Sequence, residues 1–194
     1  LVENPIVALW VNRSLETIAT AASEQGLPFS PHKLEPITED TFWVKLLGFG
    51  YPAPRPKFRW CTSRLKIDPT SRFIQRMVNT SGEAIVVLGT RKAESAARAH
   101  VIEKHSKNST RKHLNQHSSL TNAWIYPPIA DWSNDDVWTF LMQIDNPWGY
   151  DNKDLLGMYQ GATEGGECPL VIDTNTQSCG SSRFACWNCT LVDK

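Results

Sequence analysis

The sequence has no long hydrophobic run. Nowhere in its 194 residues does an apolar stretch reach the roughly 20 residues that a membrane-spanning helix needs. The start of the chain, at Leu1, also has none of the charged and apolar regions that make up a secretory signal. These absences argue against a transmembrane or exported protein, and we expect the protein to be cytoplasmic.

The cysteine pattern of a disulfide-stabilised protein is missing as well. Disulfide frameworks are typical of exported proteins and usually contain an even number of cysteines, whereas this chain has five. Structural disulfides are therefore disfavoured, and the cysteines need another explanation.

The chain also has no overall excess of charge, because 20 basic residues balance 20 acidic ones. The balance conceals an uneven distribution: between Pro52 and Lys112 there are fourteen Lys or Arg residues and four Asp or Glu residues. We call residues 52–112 the basic segment. Such a segment predicts an anion-binding surface for nucleotide phosphates, sulfate or a nucleic-acid backbone. The alternative is that these charges lie on solvated helix faces.

Three of the five cysteines are concentrated near the end of the sequence. Cys179, Cys186 and Cys189 lie within eleven residues, and the Cys-x-x-Cys spacing of the last two places two thiolates within reach of one metal ion. A fourth ligand has to come from Cys61 or Cys168. The spacing is compatible with a tetrahedral zinc site and with an iron–sulfur cluster, so both remain open. Ordinary burial explains Cys61 or Cys168 alone, but not three cysteines so close together.

The composition predicts one globular domain. Hydrophobic residues make up 41% of the chain and charged residues 21%, which is ordinary for a domain with a buried core. Apolar periodicity and capping residues predict helices over residues 4–25, 38–47, 68–79, 93–105, 134–143 and 155–159, and strands over 32–37, 84–88 and 123–129. Polar or proline-rich stretches predict loops over 49–58, 107–122 and 161–168, the second of them mobile.

The clearest strand is predicted to end at a site for an anion. Ala84–Leu88 is a continuous apolar run of the kind that is buried on both faces in a parallel sheet. A turn containing Gly89 and then a predicted helix follow, and this order sets backbone N–H groups and a helix N-terminus against a bound anion. Arg91 and Ser95 are the candidate ligands, although a lone glycine turn is a weak signal.

Two histidines, a helix start and one cysteine are also candidate functional sites. His113 and His117 are spaced to lie on one helical face, but no further ligand lies near them, so a metal site is not favoured. Ser133 is predicted to cap a helix with Asp135 and Asp136 in its first turn, and this position explains both carboxylates. Cys168 lies in a glycine-rich loop, where an accessible thiolate is able to carry sulfur.

Five sequence motifs together resemble a known family. They are Arg59–Lys66, Gly89–Ser95, Pro128–Trp138, Glu167–Leu170 and Ser182–Cys189. The set resembles the PAPS reductase-type (phosphoadenosine phosphosulfate reductase) branch of the adenine nucleotide α-hydrolase superfamily. The last two motifs resemble the DndC sulfurtransferases of bacterial DNA phosphorothioation. The resemblance covers nearly the whole chain.

The resemblance implies a fold and an activity. The fold is α/β, with a doubly wound and mostly parallel sheet. The activity is ATP-dependent insertion of sulfur into the DNA backbone, in which ATP, bound with Mg²⁺, is split at its α-phosphate and adenylates a phosphate oxygen of DNA. The implied partners are DNA, a cysteine desulfurase as sulfur donor and the other Dnd subunits.

The resemblance also implies roles for individual residues. Cys61, Cys179, Cys186 and Cys189 become the ligands of a four-iron, four-sulfur cluster, and Cys168 becomes the catalytic sulfur carrier. The residues implied as contacts to phosphate or to the adenylated intermediate are Arg64, Lys66, Arg91, Glu94 and Ser95.

One motif of the family is missing. The family begins with a strand and a Ser-Gly-Gly-x-Asp-Ser loop around the pyrophosphate, and no such sequence occurs here. We therefore expect residues 1–194 to be a single PAPS reductase-like domain that is truncated at its N-terminus, with a cysteine-rich iron–sulfur segment over 161–194. The chain as written is expected to hydrolyse ATP weakly or not at all.

Two other functions remain open. One is a reductase of PAPS or of adenylated sulfate. Enzymes of that class typically have two adjacent cysteines at the position where this chain has Trp60-Cys61, which argues against this function. The other is a non-catalytic module in which a metal only stabilises the fold and the basic segment binds nucleic acid.

Overall fold

The computed structural model describes residues 5–55, 58–107 and 111–161. Its longer helices are α1 (Pro5–Glu24), α2 (Asp68–Ser81), α3 (Ala96–Lys107), α4 (Asn134–Gln143) and α5 (Asn152–Gly161), and its strands are β1 (Ala84–Val87), β2 (Asn115–Gln116) and β3 (Ala123–Tyr126). Shorter helical segments are the 3₁₀ turns Thr38–Asp40 and Lys92–Glu94, the α-helical turn Trp60–Thr62, and the π-helical segments Val44–Gly48 and Ser63–Ile67.

The chain divides into two compact units. The first unit contains residues 1–69 and 139–194, and the second contains residues 70–138. The unit boundaries fall inside α2 and α4. A single domain over residues 1–194 stays a prediction.

In the first unit, α1 follows the apolar periodicity of its sequence. Its Trp10 ring stacks on the Tyr150 ring with centroids 4.7 Å apart, and the Arg13 guanidinium lies 4.9 Å from the centroid of the same tyrosine. The helix ends where the Leu27 N–H donates to the Ala22 carbonyl at 2.8 Å. A hydrogen bond that closes a helix in this way requires one residue with a left-handed backbone conformation, and Gly26 adopts it with a φ of 62°. The predicted first helix is confirmed over Pro5–Glu24, and its end lies within one residue of the prediction.

An aromatic cluster in the first unit holds the helical turn that carries Cys61. Trp60 is buried, stacks on Phe42 at 5.4 Å and meets Tyr51 edge-on at 5.4 Å. Its indole Nε1–H donates to the Pro52 carbonyl at 3.0 Å, which satisfies the polar atom of a buried side chain. The tryptophan therefore fixes the position of the backbone next to Cys61.

The second unit contains a three-stranded sheet in the order β1, β3, β2. β1 and β3 are parallel, with Ala84 opposite Ala123 and Val87 opposite Tyr126. β2 is antiparallel to β3, with Asn115 opposite Ile125. A mixed α/β fold with a parallel strand pair is thus confirmed, while the doubly wound sheet goes beyond the strands described and stays a prediction.

One face of this sheet packs against α2. Ile74 and Val78 of the helix and Ala123 of β3 are buried together, and Ala84 and Val86 of β1 pack against them. The spacing of four residues between Ile74 and Val78 places both on one side of the helix, as the sequence predicts. This small core holds the two parallel strands beneath one helix.

The predicted burial of β1 on both faces is wrong for the described part of the chain. Ile85 is 53% exposed and Val87 is 63% exposed, whereas Ala84 and Val86 are partly buried. The continuous apolar run of residues 84–88 shows only that both faces of the strand are apolar, not that both are covered. Whether a second layer covers a strand depends on elements remote in sequence.

Other predicted elements also differ from the structure. The strand predicted over residues 32–37 does not form, because Pro31 and Pro36 remove backbone donors from a segment that has no neighbouring strand in the described chain. The helix predicted over 38–47 is a 3₁₀ turn followed by a π-helical segment. Residues 111–122, predicted as loop, contain β2 and a tight turn before it.

Candidate functional site

The loops that follow β1 and β3 meet at one edge of the sheet. Because the two strands are parallel, their carboxyl ends lie together, and the Leu88 N–H donates to the Tyr126 carbonyl at 3.0 Å. Beyond the strands, the Lys92 N–H donates to the Ala130 carbonyl at 2.8 Å, so the loops stay joined. Open α/β sheets bind their ligands at this carboxyl edge.

A cavity of about 670 Å³ opens at this edge, within the second unit. Its charged side chains and its histidine come from the loop after β1, the loop after β3 and the turn before β2: Lys92, Asp131, Arg111, Lys112 and His113. The volume is within the range of small-molecule sites in proteins. A cavity with three cations and one carboxylate favours an anionic ligand.

Lys92 and Asp131 form an ion pair across the two loops. The Lys92 Nζ lies 2.5 Å from the Asp131 Oδ1. The hydrogen bond to Asp131 is the main cause that raises the pKa of Lys92 above its ordinary value, so the lysine stays cationic. The ammonium group has three donors, and two remain for a ligand after one has bonded Asp131.

Arg91 and Glu94 lie beside each other in the loop after β1. The Arg91 Nε is 3.7 Å from the Glu94 Oε1, and Glu94 also forms an ion pair with Arg98. The Arg91 side chain is only 15% exposed, and its Nη1 is buried with no hydrogen-bond partner in the part of the chain described. A buried guanidinium donor without a partner is costly, and it indicates a place where an oxyanion would bind.

Ser95 is the N-cap of α3. Its Oγ accepts a hydrogen bond from the Arg98 N–H at 3.2 Å, and its backbone is extended, as in most helix caps. The hydroxyl hydrogen remains able to donate. The structure thus brings together the predicted residues Arg91, Glu94 and Ser95 in one short segment, and gives each of them a partner within the protein.

Arg64, in the first unit, lies between two carboxylates. Its Nη1 is 3.3 Å from the Asp68 Oδ2, and its Nε is 3.9 Å from the Asp40 Oδ1. Asp40 is buried and also pairs with the Lys45 Nζ at 3.0 Å. Arg64 and Lys66 both belong to the π-helical segment Ser63–Ile67, a type of distortion that often marks functional sites. Their contact with phosphate stays a prediction.

The predicted metal ligands fall mostly outside the described residues. Cys61 is a half-buried free thiol in the turn Trp60–Thr62, whereas Cys168, Cys179, Cys186 and Cys189 lie beyond residue 161. Within residues 5–55, 58–107 and 111–161, no three His, Cys, Asp or Glu side chains are grouped to hold a metal ion. Four thiolates are the usual ligands of a four-iron, four-sulfur cluster, and the sequence contains enough cysteines to provide them. Binding of such a cluster stays a prediction.

Sequence reasoning missed several residues of the cavity. It counted Lys92, Arg111 and Lys112 only as part of a charge excess, and it considered His113 only as a metal ligand. The signal that could have placed Lys92 and Asp131 together is that each follows the end of a predicted strand. The turn before β2 had no such signal, because its position depends on antiparallel pairing with β3.

The helices described by the structure include none with both the length and the hydrophobicity to cross a bilayer. This finding agrees with the lack of a long apolar run in the sequence.

Comparison with known proteins gives a family match over most of the described chain. The model of the phosphoadenosine phosphosulfate reductase domain matches residues 36–148, which include Cys61, the loop after β1 and the whole cavity lining. The chain is also 28% identical over 116 residues to the uncharacterized protein MJ0066 of Methanocaldococcus jannaschii. That match covers 60% of this chain and 21% of the relative, so the chain spans about a fifth of the length of this relative. No solved structure matches the chain.

Proposed function

The chain belongs to the phosphoadenosine phosphosulfate reductase domain family, and this membership indicates an enzyme that uses a nucleotide in sulfur chemistry. We propose that the chain is part of an ATP-dependent sulfurtransferase. The substrate would be the DNA backbone, into which the enzyme inserts sulfur. The observation that carries this proposal is the cationic cavity at the carboxyl edge of β1 and β3, which Lys92 lines. The unpartnered Nη1 donor of Arg91 belongs to the same loop.

The nucleotide would bind with its phosphates against the loop after β1. Lys92 and Arg91 have positively charged N–H donors, and donors of this kind form strong hydrogen bonds to phosphate oxygens. Glu94 would keep the Arg91 side chain in place through the ion pair at 3.7 Å. Mg²⁺ bound with ATP would neutralise further phosphate charge. This arrangement positions the nucleotide and stabilises the charge that develops at the α-phosphate.

The reaction would proceed through an adenylated phosphate. A non-bridging oxygen of the DNA phosphate attacks the α-phosphorus of ATP, and pyrophosphate leaves. The terminal sulfur of a persulfide on Cys168 then attacks the DNA phosphorus, and AMP leaves. A thiol reductant cleaves the remaining S–S bond, which yields the phosphorothioate and restores the Cys168 thiol. A cysteine desulfurase would supply the persulfide sulfur, and the other Dnd subunits would be partners.

A four-iron, four-sulfur cluster would be held by Cys61, Cys179, Cys186 and Cys189. When bound, such a cluster supplies electron transfer or a covalent link between distant parts of the chain. Cys61 contributes its thiolate from a turn that the buried Trp60 ring holds in place.

Binding of Mg²⁺–ATP tests the nucleotide site. Lys92→Gln removes the cation, and we expect it to weaken binding about tenfold, as loss of a charge-assisted hydrogen bond does. Asp131→Asn breaks the same ion pair but keeps the Lys92 cation, so its affinity should equal or exceed that of the wild type. The affinities are measured by titration calorimetry.

The control separates charge from loop geometry. If Asp131→Asn weakens nucleotide binding as much as Lys92→Gln, the ion pair only holds the loops together and the proposed phosphate contact is wrong. Arg72→Gln, an exposed cation on α2, corrects for a general change in net charge.

A reductase of adenylated sulfate is the second candidate, because the matching family carries that description. Its chemistry predicts release of sulfite from PAPS or adenylyl sulfate in the presence of a thiol reductant. Sulfite release without sulfur incorporation into DNA would favour this candidate over the sulfurtransferase.

A further inference from the structure

A tight turn closes one side of the cavity and presents two adjacent side chains to it. Arg111 and Leu114 form a bridge in which the Leu114 N–H donates to the Arg111 carbonyl at 3.2 Å. Lys112 and His113 occupy the tip, are exposed, and line the cavity. His113 has a φ of 64°, a left-handed conformation that reverses the chain direction in a tight turn.

Arg111 anchors this turn to the sheet. Its guanidinium lies 4.2 Å from the centroid of the Trp124 ring, and its Nη1 is 2.7 Å from the Glu83 Oε2. The stacking and the ion pair hold Arg111 on the surface of β3 and compensate part of its charge. The turn therefore has a fixed base, while Lys112 and His113 at its tip are exposed and line the cavity.

The rim of the cavity has one cation that no carboxylate of the described chain compensates. Lys92 is paired with Asp131 and Arg111 with Glu83, whereas Lys112 forms no ion pair within residues 5–55, 58–107 and 111–161. His113 beside it also lines the cavity, and its imidazole offers an N–H donor to a phosphate oxygen.

We propose that Lys112 and His113 bind the phosphodiester backbone of nucleic acid at the rim of the cavity. This inference rests on the proposed function, in which a DNA phosphate has to reach the nucleotide held by the loop after β1. Lys112 and His113 stand at an exposed tip, so they suit a ligand that extends out of the cavity along the protein surface. A mononucleotide would instead bind against Lys92 in the loop after β1.

The test measures binding of a labelled DNA duplex to the 194-residue chain by fluorescence anisotropy. We expect Lys112→Gln to weaken binding about two- to fivefold, the effect of an exposed ion pair. His113→Ala removes an N–H donor to phosphate and should weaken binding by a similar factor. The slope of log affinity against log salt should fall by about 0.9 for each DNA phosphate that the variant no longer neutralises. Mg²⁺–ATP binding by both variants should equal that of the wild type.

Several outcomes would overturn the inference. If ATP binding weakens and DNA binding does not, the turn belongs to the nucleotide site. If Arg72→Gln weakens DNA binding equally, the effect is one of general charge. Absence of DNA binding by the wild type also overturns it. The proposed function fails separately: if DNA binding depends on the turn but no sulfur enters DNA, the inference stands and the sulfurtransferase does not.

Discussion

Ser95 illustrates at the scale of a residue how one hydroxyl group serves two requirements. Its oxygen accepts the hydrogen bond from the Arg98 N–H that caps α3, and its hydrogen is left to donate. A phosphate at the loop after β1 is an acceptor, so both bonds are possible at once. Substitution to alanine alone cannot separate these roles, because it removes the cap and the donor together.

A pair of variants at this position separates them. Ser95→Ala should lower the free energy of unfolding by about 1 kcal/mol, whereas Ser95→Gly should lower it by only a few tenths, about 0.3 kcal/mol, because glycine is a good N-cap. If the hydroxyl group contacts phosphate, both variants should weaken Mg²⁺–ATP binding alike, by about fivefold. Urea unfolding and calorimetry provide the two measurements. Wild-type ATP affinity in Ser95→Gly would show that Ser95 is only a cap.

The start of α4 is the clearest case at the scale of an element in which sequence and structure agree. The Asp136 Oδ2 accepts hydrogen bonds from the Ser133 N–H and O–H, both at 2.7 Å, and the Ser133 Oγ accepts one from the Asp136 N–H at 3.1 Å. These reciprocal bonds satisfy donors that a helix N-terminus leaves unpaired. The bond from the Ser133 hydroxyl is the main cause that lowers the pKa of Asp136 below its ordinary value of 3.8.

This lowered pKa predicts a dependence of stability on pH. A carboxylate whose pKa is lower in the folded protein stabilises it above the ordinary value of 3.8, and that contribution is lost as the pH falls through the lower folded value. Asp136→Asn should therefore be less stable than the wild type at neutral pH, and the difference should shrink below pH 3.8. Thermal midpoints across the acidic range measure it. Asp135→Asn, in the same turn, is the control, and a difference that does not change with pH would contradict the prediction.

At the scale of the whole molecule, the predicted cluster requires residues far apart in sequence to meet. Cys61 lies in the first unit, and its proposed co-ligands follow more than a hundred residues later. A metal bound to all of them would cross-link the chain, which stabilises a fold chiefly by restricting the unfolded state. The distinction between zinc and iron is chemical and can be measured directly.

Iron analysis after anaerobic purification makes this measurement. We expect about four iron and four sulfide ions per chain in the wild type. Cys61→Ala and Cys186→Ala should each lose most of this iron, because each removes a ligand. Cys168→Ala should retain it, since Cys168 is proposed as the sulfur carrier. Zinc in the wild type, or equal loss of iron in Cys168→Ala, would contradict the assignment.

The order of the longer helices and of β1 and β3 could be predicted from the sequence, whereas their lateral packing and the strand β2 could not. Local patterns predicted α1 and α4 closely, because periodicity and capping residues act within one helix. They failed for the exposed face of β1, because burial of a strand depends on distant elements. The candidate site divides in the same way: Arg91 and Ser95 follow a strand and were predicted, whereas the turn at Lys112 enters the cavity only through pairing of β2 with β3.

The sequence by itself determined the basic segment, the cysteine spacing, the helices with strong caps and the resemblance to the family that the comparison confirmed. Only the tertiary structure decided which of the fourteen cations face one cavity and which are neutralised by carboxylates. The physical reason is that capping and periodicity act over a few residues, whereas an ion pair such as Lys92 with Asp131 joins positions 39 residues apart. Such a pair exists only once parallel strands bring the two loops to one edge.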